Sequence, residues 1–477
     1  MATAERSRPP ALTIREIHAR AVRVPMRRPL GTSGGTIAYA PLVLVDLETA
    51  EGVPGRAYVF AYSDLGARAL PQLFAGIAEM VRGDAVAPVA VAKKLVARFT
   101  LLGREGLPTM AMAGLDVALW DALGRAAGLP LVRLLGGELA PVRAYNSNAL
   151  GLGAPEKLAD EAMELLAEGF HAVKLRLGRK SAAEDLRVAR AVRARIPADA
   201  LLLSDFNQAL TVAEATARCR ALDGEGLYWF EEPVRHDDYA GAAKLAREFA
   251  TPIQIGENFL GTRPMAAAIA AGAADYVMPD LARIGGVTGW LRAAALADAA
   301  GIEMSSHLYP EVSAHVLAVT PTAHFLEYVD WAAPILSHPL AISDGLAMPQ
   351  KSRCAGLGTP ARASDVPRRP ASVNESGRQI ARPSAPAREP RYYRLGTPRE
   401  DTCECRFHRS GTTIPRNVAE TRPKRSVALA HCSQESGGLD ALRGSRHGWG
   451  KAVGRLAGLR ACDGCGAQLR VRAGKGV

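Results

Sequence analysis

Cysteine is scarce in most of this chain. Of 477 residues seven are cysteines, and only Cys219 precedes residue 351. A body of this length with a single cysteine cannot be a disulfide scaffold, and it is typical of a reducing compartment. The remaining cysteines are Cys354, Cys403, Cys405, Cys432, Cys462 and Cys465.

Long apolar segments are also missing. No stretch is long and charge-free enough to span a bilayer. Residues 1–10, MATAERSRPP, lack the apolar centre of a signal peptide. We therefore expect a cytoplasmic protein with no membrane partner.

An excess of positive charge is absent from the larger part of the chain. The formal net charge is +11, but residues 351–477 hold 25 Lys and Arg against 10 Asp and Glu, which leaves 34 against 38 in residues 1–350. A nucleic-acid-binding domain would carry a basic face in its folded part. We expect no nucleic-acid partner, since a mildly acidic body is typical of a metabolic enzyme.

Residue patterns divide the chain into three parts. Residues 11–140 combine alternating apolar positions with an Ala- and Leu-rich helical stretch, which predicts an α+β domain. Within it, the Gly- and Ser-rich segment 27–36 is interpreted as a flexible loop that closes over a site. In residues 141–350, strands alternate with helices, which predicts a parallel sheet closed into a barrel. The predicted strands there are Ala172–Leu175, Leu201–Ser204, Leu227–Phe230, Ile253–Ile255, Tyr276–Met278, Glu303–Ser305 and Phe325–Glu327.

Residues 351–477 have no periodicity and are rich in Arg and Pro, which predicts a disordered tail. Because almost all of its basic residues are arginines, a frameshift near codon 350 of a GC-rich gene is a second interpretation. A third is a zinc-binding or nucleic-acid-binding tail. Its ligands would be Cys403, Cys405, Cys462 and Cys465 with His408 or His431.

Acidic residues and one histidine follow successive apolar runs at intervals of 26, 26, 23, 27 and 20 residues. These intervals are close to one βα unit, since a βαβ unit takes about thirty residues. All strand ends of a closed barrel point to one face, so we expect these side chains to converge. The set is Asp205, Glu231, Glu257, Asp280, His307 and Glu327, with Lys174 one unit upstream.

The residues of this set predict a metal site with proton-transfer groups beside it. Three neighbouring carboxylates, Asp205, Glu231 and Glu257, would repel one another without a cation. Hard oxygen ligands without Cys or His favour Mg²⁺, with Mn²⁺ as a substitute. On neighbouring strands, Asp280 would orient His307 as a general base.

Four longer segments are specific: residues 111–124 (AMAGLDVALWDALG), 284–290 (IGGVTGW), 305–308 (SSHL) and 313–324 (SAHVLAVTPTAH). Through them, residues 12–350 closely resemble the mandelate racemase/muconate lactonizing enzyme family of the enolase superfamily. The resemblance implies an α/β fold with an N-terminal α+β capping domain on a modified (β/α) TIM-type barrel. It also implies a homo-oligomer.

The resemblance implies roles for single residues. Asp205, Glu231 and Glu257 would bind Mg²⁺, and His307 with Asp280 would transfer a proton. The other implied positions are Glu327, as the acid facing the substrate carboxylate; Lys174, as the first lysine of a Lys-x-Lys motif; Asn207, beside the substrate hydroxyl; and Ser147, in the pocket. Burial would keep Glu327 protonated, so that it donates a hydrogen bond to the developing oxyanion.

The implied activity is abstraction of the α-proton of a 2-hydroxy carboxylate through an enediolate, giving racemisation or epimerisation. One residue departs from the family pattern: the second lysine of Lys-x-Lys is Arg176. Arginine is always protonated and is a poor base. An acid-sugar dehydratase that forms a 2-keto-3-deoxy acid, with His307 as its only base, is therefore the alternative.

The predicted lid is polar. Arg27 and Arg28 suit a polar or doubly acidic substrate, or belong to a solvated face. Leu30, Ile37 and Tyr62 remain to pack on the substrate.

A further interpretation is that the altered end of the chain leaves an enzyme that does not work.

Overall fold

A computed structural model describes residues 11–32, 35–351 and 364–365. All of them belong to one compact unit, Met1–Gln379. Of the tail, residues 351–477, the structure describes only Lys351 and the two-residue strand β14, Ser364–Asp365. The three interpretations of the tail therefore fall on residues outside the described part.

The N-terminal part is an antiparallel sheet packed against helices. Its strands are β1 (Ile14–Thr32), β2 (Gly35–Thr49) and β3 (Pro54–Phe60), in the order β14-β1-β2-β3. The helices that follow are α1 (Asp64–Val81), α2 (Pro88–Arg98), α3 (Leu107–Ala127) and the short α4 (Leu131–Leu134).

The segment 27–36 was predicted to be a flexible loop, and this prediction is wrong for most of its length. Its described residues, 27–32 and 35–36, belong to the paired strands β1 and β2, in which Leu30 is paired with Ile37. The register shifts between Pro25 and Leu30, where Arg27 and Arg28 lie. Hairpin pairing satisfies the backbone groups of residues that look flexible from their Gly and Ser content alone.

Close packing of α3 against β3 depends on Gly55. A Cβ atom at this position would lie 2.1 Å from the carbonyl oxygen of Ala118 in α3. Only glycine therefore allows the helix to approach the sheet this closely.

The second part contains eight parallel strands. They are paired in the order β10-β9-β8-β7-β6-β5-β4-β11, and a parallel bridge between Met304 and Ala323 links β10 to the segment before β11. This ring confirms the predicted TIM-type barrel. Each predicted strand lies within one residue of an observed one. The strands are β4 (Val142–Asn146), β5 (Ala172–Arg176), β6 (Leu201–Asp205), β7 (Leu227–Glu231), β8 (Ile253–Ile255), β9 (Tyr276–Val277), β10 (Glu303–Met304) and β11 (Leu326–Tyr328).

Helices connect the strands, and their starts are encoded locally. Ser181 caps α6, and Thr211 with Glu214 forms a capping box on α7. The helices are α5 (Pro155–Ala167), α6 (Ala182–Arg195), α7 (Val212–Leu222), α8 (Tyr239–Glu248), α9 (Thr262–Ala270), α10 (Leu281–Ile284), α11 (Gly286–Ala300) and α12 (Pro310–Leu317). A 3₁₀ turn (Ala333–Ile335) and the hairpin β12 (Ile342–Ser343) and β13 (Leu346–Ala347) follow, and β13 is antiparallel to β4.

Aromatic side chains fill the barrel interior below the strand ends. Trp229 is fully buried, and its ring centroid lies 5.5 Å from that of Tyr145 and 5.9 Å from that of Phe325. This apolar floor leaves polar side chains to the carboxyl ends of the strands.

In the described part of the chain, no helix is both long and apolar enough to cross a membrane.

Candidate active site

The carboxyl ends of the barrel strands open into a cavity of about 300 Å³ beneath the N-terminal sheet. Both parts of the fold contribute to it, since the β1–β2 hairpin and the end of β3 form one side. The lining residues are Leu30, Ile37, Phe60, Tyr62, Lys174, Arg176, Asp205, Asn207, Glu257, His307, Leu308, Glu327 and Trp331.

Lys174 is the centre of a buried ionic cluster. Its Nζ atom lies 2.6 Å from Glu231 Oε1, 2.7 Å from Glu327 Oε1 and 3.5 Å from Asp205 Oδ2. The lysine is 1% exposed. Burial would lower the pKa of Lys174, but Glu231 and Glu327 outweigh that effect and raise it well above its usual value. The ammonium group is therefore charged at neutral pH.

Glu231 lies behind Lys174 at the end of β7. Its Oε2 atom accepts hydrogen bonds from Trp229 Nε1 at 3.1 Å and Gln254 Nε2 at 3.3 Å. Burial raises the pKa of Glu231 to about 8, although Lys174 acts in the opposite direction. The ionised form of Glu231 is therefore stable only if positive charge lies nearby.

Asp205 ends β6 and holds the turn that follows it. Its two oxygens accept from Asn207 N at 2.7 Å and Asn207 Nδ2 at 2.8 Å. Asn207 has a φ of +46°, a conformation that asparagine tolerates better than most residues. The predicted polar neighbour of the substrate hydroxyl therefore lines the cavity next to a predicted metal ligand.

His307 and Asp280 form a hydrogen-bonded pair, with Nδ1 2.8 Å from Oδ2. The other oxygen of Asp280 caps α10 by accepting from the backbone N–H groups of Ala282 and Arg283. His307 Nε2 lies 3.3 Å from Glu257 Oε2. Burial would lower the pKa of His307, but Glu327, Glu257 and Asp280 together raise it to about 9.

Glu327 departs from the expectation that burial keeps it protonated. Burial does raise its pKa, but the charges of Lys174 and His307 outweigh burial and hold the pKa of Glu327 below its usual value. Its Oε2 accepts from the backbone N–H of Leu308 at 2.8 Å, and its Oε1 accepts from Ser147 Oγ at 2.7 Å. Glu327 is thus ionised, and Ser147 lies behind it rather than on the cavity wall.

The donor chemistry and charge of this site fit a divalent cation. The carboxylates are more numerous than the cationic side chains around the cavity, and a carboxylate oxygen set suits Mg²⁺. Glu232, which sequence reasoning missed, lies next to this set: burial raises its pKa well above normal, so that its ionised form would need a nearby cation, and its Oε2 has no hydrogen-bond partner in the described structure. The carboxylates are Asp205, Glu231, Glu232, Glu257, Asp280 and Glu327; the cationic or basic groups are Lys174, Arg176, Arg283 and His307.

Ion pairs hold the predicted ligands apart. Lys174 lies between Asp205 and Glu231, while Glu257 is turned to His307. Among the described residues, a set of three ligand atoms within 4.8 Å of one another occurs only on the β1–β2 surface, at Glu16, His18 and Glu48. That set is largely exposed, and Arg15 pairs with one of its members.

Arg176 points its guanidinium at backbone oxygens. Nη1 donates to Ala149 O at 2.8 Å, and Nη2 lies 3.1 Å from both Ser147 O and Ser147 Oγ. Nε is buried without a hydrogen-bond partner in the described structure. The residue lines the cavity as a fixed cation.

An apolar wall covers the other side of the cavity. Leu30, Ile37 and Tyr62 were expected to pack on a substrate and do line it. Phe60 and Trp331, whose ring centroids are 5.3 Å apart, were not predicted. Phe60 ends a strand and Trp331 follows another, so only the placement of the N-terminal sheet over the barrel brings them together.

Arg27 and Arg28 do not reach the cavity. Both guanidinium groups pair with Glu168, with Arg28 Nη2 2.9 Å from Glu168 Oε1. Neither is among the lining residues. Arg27 and Arg28 therefore do not face a substrate in this cavity. Their ion pairs with Glu168 join the β1–β2 hairpin to the end of α5.

Comparison with known proteins agrees with this arrangement. The mandelate racemase/muconate lactonizing enzyme N-terminal domain matches residues 14–136, and the enolase C-terminal domain-like family matches residues 157–364. The chain belongs to the mandelate racemase/muconate lactonizing enzyme family of the enolase superfamily. Its predicted class, an isomerase or hydro-lyase of that superfamily, is confirmed at this level.

Relatives within this family have diverse activities. L-talarate/galactarate dehydratase of Salmonella typhimurium is 33% identical over 245 residues, which cover 51% of this chain and 62% of that protein. 3,6-anhydro-alpha-L-galactonate cycloisomerase of Streptomyces coelicolor is 31% identical over 68% of this chain and 90% of its own length. An enolase from Bradyrhizobium, crystallised with magnesium and mandelic acid, is 45% identical with a TM-score of 0.70, covering 73% of this chain and 96% of that one.

Proposed function

We propose that this enzyme abstracts the α-proton of a 2-hydroxy carboxylate in a Mg²⁺-dependent reaction through an enediolate, giving racemisation or epimerisation. The observation that carries the proposal is the paired His307 and Asp280 in the same cavity as Lys174 and a group of carboxylates. One group moves a proton, and the others bind and polarise an acid.

The metal ligands in this proposal are Asp205, Glu231 and Glu257, with Mn²⁺ able to replace Mg²⁺. A bound divalent cation would supply charge stabilisation for the developing enediolate. Lys174 supplies a second fixed positive charge, because Glu231 and Glu327 keep it ionised. Glu327 holds that ammonium at the cavity, and Ser147 in turn supports Glu327.

His307 exchanges the α-proton at Nε2, because its Nδ1 is bound to Asp280. The carboxylate of Asp280 fixes both the tautomer and the direction of the ring. The backbone of α10 fixes Asp280 in turn, so the proton-transfer atom is held in a defined position. Asn207 lies next to Asp205 and is the group for the substrate hydroxyl.

The cavity wall supports a substrate with an apolar or aryl substituent. Phe60, Tyr62, Trp331, Leu30 and Ile37 offer aromatic and aliphatic surface and no charge. The polar chains of an acid sugar would leave hydroxyl groups without partners against this wall. The presence of mandelic acid in the Bradyrhizobium structure supports the same substrate class.

Dehydration is the second candidate, and Arg176 favours it. A two-base racemase needs a proton donor and acceptor on each face of the substrate, and arginine does not exchange its proton at neutral pH. With His307 alone, a substrate that carries a β-hydroxyl group would lose it as water after α-proton removal. The guanidinium of Arg176 would then bind a carboxylate or hydroxyl oxygen.

The proposal includes a cytoplasmic homo-oligomer that acts on small acids and binds neither nucleic acid nor membranes. It also treats residues 11–140 as the capping domain and residues 141–350 as the catalytic barrel. The boundary between the two falls between α4 and β4.

Proton NMR in D₂O with Mg²⁺ tests the proposal, with mandelate and galactarate as representative substrates. Loss of the α-proton signal of mandelate with an intact carbon skeleton supports racemase chemistry. Formation of a 2-keto-3-deoxy acid from galactarate supports the dehydratase. The variant His307→Asn should be inactive, while His171→Asn, at an exposed pair with Asp344, should behave as the wild type. No exchange and no product with Mg²⁺ or Mn²⁺ would contradict both candidates.

A further inference from the structure

Arg283 contacts both sides of the cavity but has no part in the proposed chemistry. It belongs to α10 and follows Asp280 by three residues. Its side chain is 13% exposed. A nearly buried arginine needs several partners, and these partners show what it holds together.

On the barrel side, Arg283 fixes the segment that follows β8. Nη1 donates to the backbone oxygen of Glu257 at 2.9 Å and to the side-chain oxygen of Asn258. The same nitrogen lies 3.8 Å from Glu257 Oε1. The guanidinium therefore restrains both the backbone and the carboxylate of a proposed metal ligand.

On the other side, Arg283 lies against Tyr62 of the N-terminal part. Its Cζ atom is 4.1 Å from the centroid of the tyrosine ring, a cation–π contact. The ring also packs edge-on against Phe60, with centroids 4.6 Å apart, and its hydroxyl lies 3.4 Å from Asp280 Oδ2.

The backbone of Tyr62 makes this contact important. Its φ is +58°, which is costly for a bulky residue and persists only when surrounding contacts hold it. Tyr62 connects β3 to α1 and lines the cavity. Loss of the Arg283 contact would let the backbone relax and move the ring away from the substrate.

We propose that Arg283 is a positioning residue that sets affinity for 2-hydroxy acids with an aryl substituent. It stacks on Tyr62 and bonds the Glu257–Asn258 segment, so that one guanidinium fixes the apolar wall relative to the acidic end of the cavity. The substrate class rests on the function proposed above. Arg283 itself exchanges no proton with substrate.

Binding of a non-reacting acid separates this role from catalysis. The probe is 2-hydroxy-2-phenylpropanoate, which has no α-hydrogen, and its affinity is measured by calorimetry with saturating Mg²⁺. We expect Arg283→Met and Tyr62→Leu each to weaken binding about tenfold. The double variant should lose less affinity than the sum of the two single losses, because both changes remove the Arg283–Tyr62 contact.

Two further variants control the experiment. Arg263→Met removes an exposed arginine of α9 for which the described structure records no hydrogen bond or ion pair, and it should bind the probe as the wild type does. Arg283→Lys keeps the charge without the planar group and should give an intermediate affinity. It serves as the test if Arg283→Met does not fold. With an active wild type, the KM of Arg283→Lys for mandelate should rise while kcat changes little.

The outcomes separate this inference from the proposed function. Additive losses in the double variant, or wild-type affinity in Arg283→Lys and Arg283→Met, would overturn the role of Arg283 whatever the activity. If the wild type binds the probe but exchanges no proton, the proposed reaction is overturned. The role of Arg283 is then decided by the probe affinities of the two single variants and the double variant. A wild type that does not bind the probe would overturn the aryl substrate class and the role of Arg283 together.

Discussion

Asp280 divides its carboxylate between a helix and His307. Oδ1 accepts from the backbone N–H groups of Ala282 and Arg283 at 2.8 and 3.0 Å, and Oδ2 lies 2.8 Å from His307 Nδ1. The start of α10 therefore holds the carboxylate that orients the imidazole. A helix cap and a proton-transfer pair are the same structural element here.

The variant Asp280→Asn tests this shared role. Asparagine caps helices as well as aspartate does, so the start of α10 should be kept. The amide stabilises the wrong ring tautomer, and the rate of α-proton exchange measured by NMR should fall by about 10²–10⁴-fold. Asp238→Asn, at the cap of α8, is the matched control and should exchange normally. Equal rates in both variants would show that Asp280 acts only as a cap.

Arg176→Lys should add a second base to the cavity. The lysine loses the bonds from the guanidinium to Ala149 and Ser147, and its amine exchanges protons. If the proposed reaction holds, we expect faster racemisation of mandelate in the variant than in the wild type, followed by polarimetry. If Arg176→Lys racemises mandelate more slowly than the wild type but exchanges the α-proton at the same rate, we would infer that Arg176 holds the substrate carboxylate.

Lys174→Met should make stability depend more strongly on Mg²⁺. Removing one partner of a buried ion pair costs about 3–5 kcal/mol of folding free energy, because the carboxylates of Glu231 and Glu327 lose their counter-charge. Added Mg²⁺ should recover more stability in the variant than it adds to the wild type in urea unfolding.

Lys94→Met is the control for Lys174→Met. It breaks a half-exposed pair with Asp84 and should cost less than about 1 kcal/mol. Its response to Mg²⁺ should equal that of the wild type. An equal response in Lys174→Met would contradict a cation site at this cluster.

Acid should destabilise the fold through His324. Burial, assisted by the charge of Arg143, lowers the pKa of His324 to about 4. Tyr228, Ser305 and Glu303 face the ring, with Nε2 3.0 Å from Tyr228 Oη. In the unfolded chain His324 has the usual histidine pKa of 6.5. Between pH 6.5 and pH 4 the unfolded chain therefore binds a proton at His324 that the folded chain does not bind. This contribution to stability is complete above pH 6.5 and is lost as the pH falls through that window.

The loss from His324 amounts to at most about 3 kcal/mol. The free energy of unfolding of His324→Gln should therefore fall less between pH 7 and pH 4 than that of the wild type, as measured by urea unfolding at each pH. His171→Gln, at an exposed site, should keep the wild-type pH dependence. Identical curves for His324→Gln and the wild type would show that the ring titrates normally.

Periodicity in the sequence was enough to predict the barrel and to place several candidate site residues at its strand ends. Asp205 and Glu231 directly follow apolar runs, so they end β6 and β7 and must point to the face shared by all strand ends. Local rules failed at the hairpin of β1 and β2, where Gly and Ser content suggested a loop. They also failed for Glu327, whose protonation depends on Lys174 and His307 from other strands.

The sequence by itself determined the order of strands and helices and the residue types of the acidic site, because these depend on spacing along the chain, and the resemblance of its longer segments indicated the family. Only the tertiary structure decided which partners each charge has. Arg283 reaches Tyr62, and Arg27 and Arg28 reach Glu168, across more than a hundred residues of chain. Such contacts depend on how the N-terminal sheet packs on the barrel, and no local pattern contains that information.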